Sequence, residues 1–102
     1  MSHYAWFACT DCRHMVWLGR EVFKSDGRVE LFHIGEADDP PNSQRPELNR
    51  TLWKMLADHV GHPLRVVTDD HAEYQHLEGY IEIGGDGVHD IAFETYLRDW
   101  KG

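Results

Sequence analysis

The clearest chemistry in this sequence lies in two short stretches, Cys9-Thr10-Asp11-Cys12 and His59-Val60-Gly61-His62. A Cys-x-x-Cys pair can turn tightly enough for both sulfurs to face one ion. A His-x-x-His pair then supplies two nitrogens, and the S2N2 set suits tetrahedral zinc. Cys9, Cys12, His59 and His62 are therefore read as ligands of a structural Zn2+, with His14 and His33 as reserve ligands. The chain has only these two cysteines, so their spacing is informative, whereas with eight histidines the His pair alone says little. Four protein ligands would close the coordination sphere. Neither the His-Glu-x-x-His of zinc peptidases nor the His-x-Glu with Pro-Cys-x-x-Cys of zinc deaminases occurs, and no enzymatic activity is predicted. A redox Cys-x-x-Cys would open a helix after a strand, but extended sequence follows it here.

Positioning those ligands requires a small α+β domain, read as one unit over residues 1–102. The predicted architecture is a zinc-stabilised sheet of antiparallel β-hairpins packed on one main helix. His3–Ala8 and Arg13–Leu18 form strands around the cysteine turn, and Gly19 is expected to end the second. Glu21–Lys24 and Arg28–Ile34 flank Ser25-Asp26-Gly27, where Asp-Gly signals a two-residue hairpin turn. Gly35–Arg45, with Pro40-Pro41, has no periodicity and reads as loop. From Pro46 to Val60, Leu48, Leu52, Met55, Leu56 and His59 recur at spacings of three and four, which predicts the main helix. Gly61 would cap it and Pro63 forbids continuation, so the reversal can swing His62 back beside His59. Leu64–Thr68 and Tyr80–Ile83 are further strands, and Phe93, Tyr96, Leu97 and Trp100 predict a short C-terminal helix.

The chain has ten Lys plus Arg against eighteen Asp plus Glu, a formal net charge of −8. Such a surface repels phosphate backbones and attracts basic partners, so nucleic acid is an unfavoured ligand. The acidic stretches offered to a partner are Glu36, Asp38 and Asp39 in the proline-rich loop, and Asp69 and Asp70 after a strand. Asp69-Asp70-His71 could bind a hard cation, although a solvated turn is the simpler account. Asp86–Glu94 imitates a calcium loop, but Val88 and Leu97 occupy its third and twelfth positions, where oxygen ligands are needed. Any one exposed Trp among the four would suit a binding hot spot. No basic leader and no apolar run long enough to span a bilayer is visible, which predicts a cytoplasmic, membrane-free protein.

The chain resembles a group of small bacterial proteins that share an aromatic-x-Cys-x-x-Cys opening, a following Trp/Leu-Gly, and a helix ending in His-x-Gly-His before a strand. The matching pieces are Phe7-Ala8-Cys9-Thr10-Asp11-Cys12, Trp17-Leu18-Gly19, and Leu56–Leu64 around His59-Val60-Gly61-His62. Some proteins of this look accompany secreted toxins as cognate immunity proteins. The resemblance thus implies a zinc-stabilised interaction protein that binds a toxin, the basic active-site cleft being the natural target of an acidic face. The alternative is a zinc-ribbon-like protein associated with nucleic acid or transcription, which would need a basic stripe drawn from Arg20, Lys24, Arg28, Arg45 and Arg50.

Overall fold

The structure, a computed structural model, describes residues 3–102. Strand β1 (Tyr4–Cys9) turns through the cysteine segment into β2 (His14–Phe23), its antiparallel partner. Strand β3 (Val29–His33) pairs with the far half of β2, and β4 (Leu64–Thr68) pairs with the free side of β1, giving the order β3-β2-β1-β4. The last strand, β5 (Ile81–Ile83), adds to His14–Val16 of β2 in parallel, on the same edge as β3 but at the other end. The fold is α+β as expected, with this one parallel pair inside an otherwise antiparallel sheet.

Gly19 does not end its strand. β2 runs through it, and the register with β1 skips between Ala5 and Trp6, leaving Leu18 as an extra residue. Such a bulge sharpens the local twist, and here it needs a left-handed residue, Gly19 at φ 94°. The β2–β3 connection also differs from the two-residue turn. Lys24 and Arg28 close a three-residue loop in which only Gly27 has positive φ, and the Asp26 carboxylate instead accepts from the Arg28 backbone N–H at 3.0 Å.

The main helix α1 (Pro46–Asp58) starts at the expected proline but ends two residues short of Val60. Its buried stripe of Leu48, Thr51 and Met55 packs on Val16 and Ile83, with Phe7, Ile34, Leu52 and Phe93 around them. Across the sheet, Ala8, Val67 and Leu77 form a second core with Trp6, Met15 and Tyr80, roofed by a 3-10 turn over Ala72–Leu77. The loop before α1 is pinned by Asn42. Its amide donates to the Leu18 carbonyl at 2.8 Å while its oxygen accepts from Ile34 N–H at 2.9 Å. Helix α2 (Phe93–Leu97) stops before Trp100 because Arg98 leaves the helix at ψ 128°, after which Asp99 turns left-handed at φ 62°. The Tyr96 hydroxyl ties it to the end of α1 by donating to Asp58 at 2.8 Å.

A Cβ at Gly19 would land on the His33 carbonyl and crowd Ile34, at a φ that side chains resist. Gly19→Ala is expected to cost about 2–4 kcal/mol of stability, from strain plus displacement of β3. Urea denaturation measures it, and an unchanged midpoint would mean that the bulge accepts a side chain.

Candidate metal centre

Cys9 ends β1 and is fully buried, while Cys12 sits exposed in the turn. The turn is closed by two bonds: Arg13 N–H to the Cys9 carbonyl at 3.0 Å, and Cys12 N–H to the Cys9 sulfur at 3.4 Å. To make it, Arg13 adopts a left-handed φ of 58°. Side chains at Ala5, Phe7 and Cys9 alternate away from Trp6 and Ala8, so the Cys9 sulfur lies on the face that α1 covers.

His59 is the residue at which α1 stops, and it is buried. Its Nδ1–H donates to the Met55 carbonyl at 2.6 Å, a bond that fixes the tautomer and leaves Nε2 as the free donor atom. Cys9, Cys12 and His59 each bring one ligand atom within 4.8 Å of the others, so this group could hold a metal ion. Past His59 the chain reverses through Gly61 at φ 84°, closed by His62 N–H donating to the His59 carbonyl at 2.9 Å. That reversal sets the two imidazoles 5.8 Å apart, centre to centre. His62 Nδ1 then lies 3.4 Å from the Cys12 sulfur and 3.7 Å from the Cys9 sulfur. The sulfur–nitrogen edge of a zinc tetrahedron with ordinary bond lengths is about 3.6 Å.

The reserve ligands separate. His14 pairs with Cys9 across the hairpin, and its ring sits 6.0 Å from that of His59. Burial, and then the neighbouring His59, lower its pKa, favouring a neutral imidazole. His33 lies in register with Arg20, away from the cysteine turn, and its Nε2 donates to the Glu36 carbonyl at 2.6 Å. The Cys12 thiol is pushed up by desolvation, by its hydrogen bond with Cys9, and by the charges of Cys9 and Asp11. An ion between the sulfurs would reverse that balance, because a bound cation favours thiolate.

The acidic residues read as a contact surface fall into two groups. Asp39 turns its carboxylate onto the Glu36 N–H at 2.6 Å, while Glu36 and Asp38 stay exposed. Asp69 is bonded to His3 at 3.2 Å, and Asp70 accepts from the Thr68 hydroxyl. The register row His33, Arg20, Tyr4, Asp69 joins the two groups across four strands, about 14 Å at ordinary strand spacing. Of the basic residues that a nucleic-acid stripe would need, Arg28 pairs with Asp26, Arg45 donates to the Ile34 carbonyl, and Arg50 donates to the carbonyls of Trp100 and Gly102. Among the described residues, no helix is long and apolar enough to cross a membrane.

Two features are not located by the sequence: which of the four Trp is exposed, and a cleft behind the sheet. Trp53 is 69 % exposed, beside exposed Leu56 and Val60. It falls off the three-and-four spacing of the buried stripe, and that was the available signal. The other is a cleft of about 660 Å³ between Trp6, Met15, Tyr74, Leu77, Glu78 and Glu82. Trp6 and Tyr74 approach to 5.0 Å between ring centres. Burial, then Asp90 and Asp86, raise the Glu82 carboxyl, while Trp6 opposes them.

Because Cys9 and His59 are buried and the His33 ring is elsewhere, metal retention should depend on them unequally. Cys9→Ser and His59→Ala are expected to lose the ion, and His33→Ala to keep it. Elemental analysis of untagged protein checks this, and full retention in both ligand variants would refute the centre. Comparison with known protein families, with curated proteins and with solved structures gives no match, so the resemblance to toxin-associated proteins stands on the Cys and His motifs alone.

Proposed function

We propose that this chain is a zinc-stabilised, non-enzymatic interaction protein, an immunity protein that binds and neutralises a bacterial toxin in the cytosol. The observation that carries a binding role is the exposure of Trp53 at 69 % one helical turn from Leu56 at 46 % on α1, with Val60 at 81 % just past the helix end. Leu56 also borders an apolar groove lined by Phe7, Leu18, Phe32 and Leu52. A solvent-facing Trp one helical turn from the Leu that borders such a groove is the kind of anchor on which binding energy concentrates. The charge of −8 and the carboxylates of Glu36, Asp38, Glu78 and Glu82 favour a basic partner, and the Trp6–Tyr74 cleft suits a guanidinium or ammonium side chain. Arg45 and Arg50 are held by backbone carbonyls, which weakens the nucleic-acid alternative.

In this reading Zn2+ takes the two sulfurs, His59 through Nε2 and His62 through Nδ1. The bound ion ties the β1–β2 turn to the end of α1, and its binding free energy becomes folding free energy. Chelation should lower the melting temperature by about 10 °C or more, as expected when several kcal/mol leave a domain of this size. An unchanged melt with the metal demonstrably gone would remove the structural role.

A partner captured from the native strain should lose affinity about 30-fold or more on Trp53→Ala, the penalty of a hot-spot anchor, with zinc content and melting temperature unchanged. Association should also slow as salt rises, and slow further on charge reversal at Asp38. If binding ignores salt, Trp53→Ala and Leu56→Ala alike, the proposed surface is wrong.

A further inference from the structure

We propose that His3, Glu21, Asp69 and Asp70 form a second metal site, at the opposite end of β1 from the cysteines, that takes a divalent first-row transition ion such as Mn2+. His3, Asp69 and Asp70 each bring a ligand atom within 4.8 Å of the others. The backbone assembles them: Glu21 N–H donates to the His3 carbonyl at 2.8 Å, and Asp69 N–H donates to the Tyr4 carbonyl at 3.0 Å. The start of β1 is thereby held between the end of β4 and the second half of β2.

The independent observation is Glu21. It is 7 % exposed, and its Oε1 is buried without a hydrogen-bond partner among the described residues. Directly opposed residues of an antiparallel pair put their side chains on one face, so Glu21 projects beside His3. Burial, then Asp70 and Asp69, raise its pKa, while His3 and His71 pull the other way, which places all four groups in its field. A buried carboxylate oxygen without a partner, beside two more carboxylates, is costly in isolation, and a divalent cation held by His3, Asp69 and Asp70 would offset that charge. Glu21 stands next to this three-residue group and would reach the ion by a shift of its side chain.

The donor set decides the class of ion. One imidazole with up to three carboxylates and no sulfur suits Mn2+ and its neighbours; all-oxygen shells suit Mg2+ and Ca2+. The cysteine centre is the reverse case, soft and sulfur-rich. Six residues of strand separate the two sites by about 20 Å. They therefore titrate independently.

The test is a Mn2+ titration of the full chain, followed by loss of the free-ion paramagnetic resonance signal. One Mn2+ per chain is expected in the wild type and in Cys12→Ser, with affinity reduced about tenfold or more in Asp69→Asn and Glu21→Gln. Glu21→Gln carries a second readout with opposite sign. Without metal it should melt above the wild type, because a buried carboxyl is replaced by a neutral isostere, and it should gain less than the wild type when Mn2+ is added. No binding by about 1 mM Mn2+, the weak limit of functional cation sites, would overturn the proposal. So would unchanged affinity in both carboxylate variants, or loss of binding in Cys12→Ser with retention in Asp69→Asn.

Discussion

The period of two along β1 is the constraint from which the rest follows. β1 is hydrogen-bonded on both edges and covered on both faces, so each of its six side chains is assigned to one layer or the other. Ala5 and Ala8 are fully buried and small because a larger group would push a layer away from the sheet. Phe7 and Cys9 face α1, whereas Trp6 and Ala8 face the 3-10 roof. A strand of six residues and a helix of thirteen both measure about 20 Å, so a helix laid on this strand has its end within reach of the strand's end. The meeting of Cys9 with His59 is a consequence of those matched lengths. A one-residue slip of β1 would send Cys9 to the opposite face.

What the sequence made legible was local chemistry. The cysteine turn, the proline that opens α1 and the reversal at Gly61 are each set by a few neighbouring residues and found close to their expected places, whereas the apolar spacing holds for Leu48, Met55 and His59 but not for Leu56, which is 46 % exposed. The end of α1 was misplaced by two residues because His59 looks helical by periodicity, while the backbone there already leaves the helix at ψ 28°. What was not legible depends on distant partners. β5 finds β2 in parallel only after the chain has passed through the roof turn, and nothing in Ile81-Glu82-Ile83 encodes the direction of pairing. Glu21 sits in an alternating strand where a solvent-facing acid is the natural reading. Its burial comes from a fold assembled across many residues. Gly19 misled for a related reason, since a glycine that breaks a strand and one that bulges it look alike until the partner strand is present.

The acidic composition also has a different meaning in three dimensions. Several carboxylates close turns or hold side chains: Asp90 accepts from the Glu82 and Gly87 N–H groups, Asp39 from Glu36 N–H, and Asp58 from Lys54 and Tyr96. These charges still contribute to the long-range field, but their lone pairs are partly spent inside the chain. For the basic partner proposed above, long-range attraction and close contact would therefore be supplied by different residues. The field belongs to the whole acidic set, while shape and apolar contact would come from Trp53, Leu56 and the Trp6–Tyr74 cleft.

The cysteine centre has a back and a front. Cys9 and His59 are sealed in the core, while Cys12 and His62 face solvent. Any ion held there would be approached from one side only, so exchange with a competing chelator would begin at Cys12, while the buried Cys9 and His59 kept their grip. Oxidants meet the same asymmetry. Cys12 is the sulfur they reach first, and once it is modified the buried pair alone makes a weak site. The lifetime of such an ion would thus be governed by the exposed side of the centre, and the helix end could loosen from the turn while the sheet beneath stays folded.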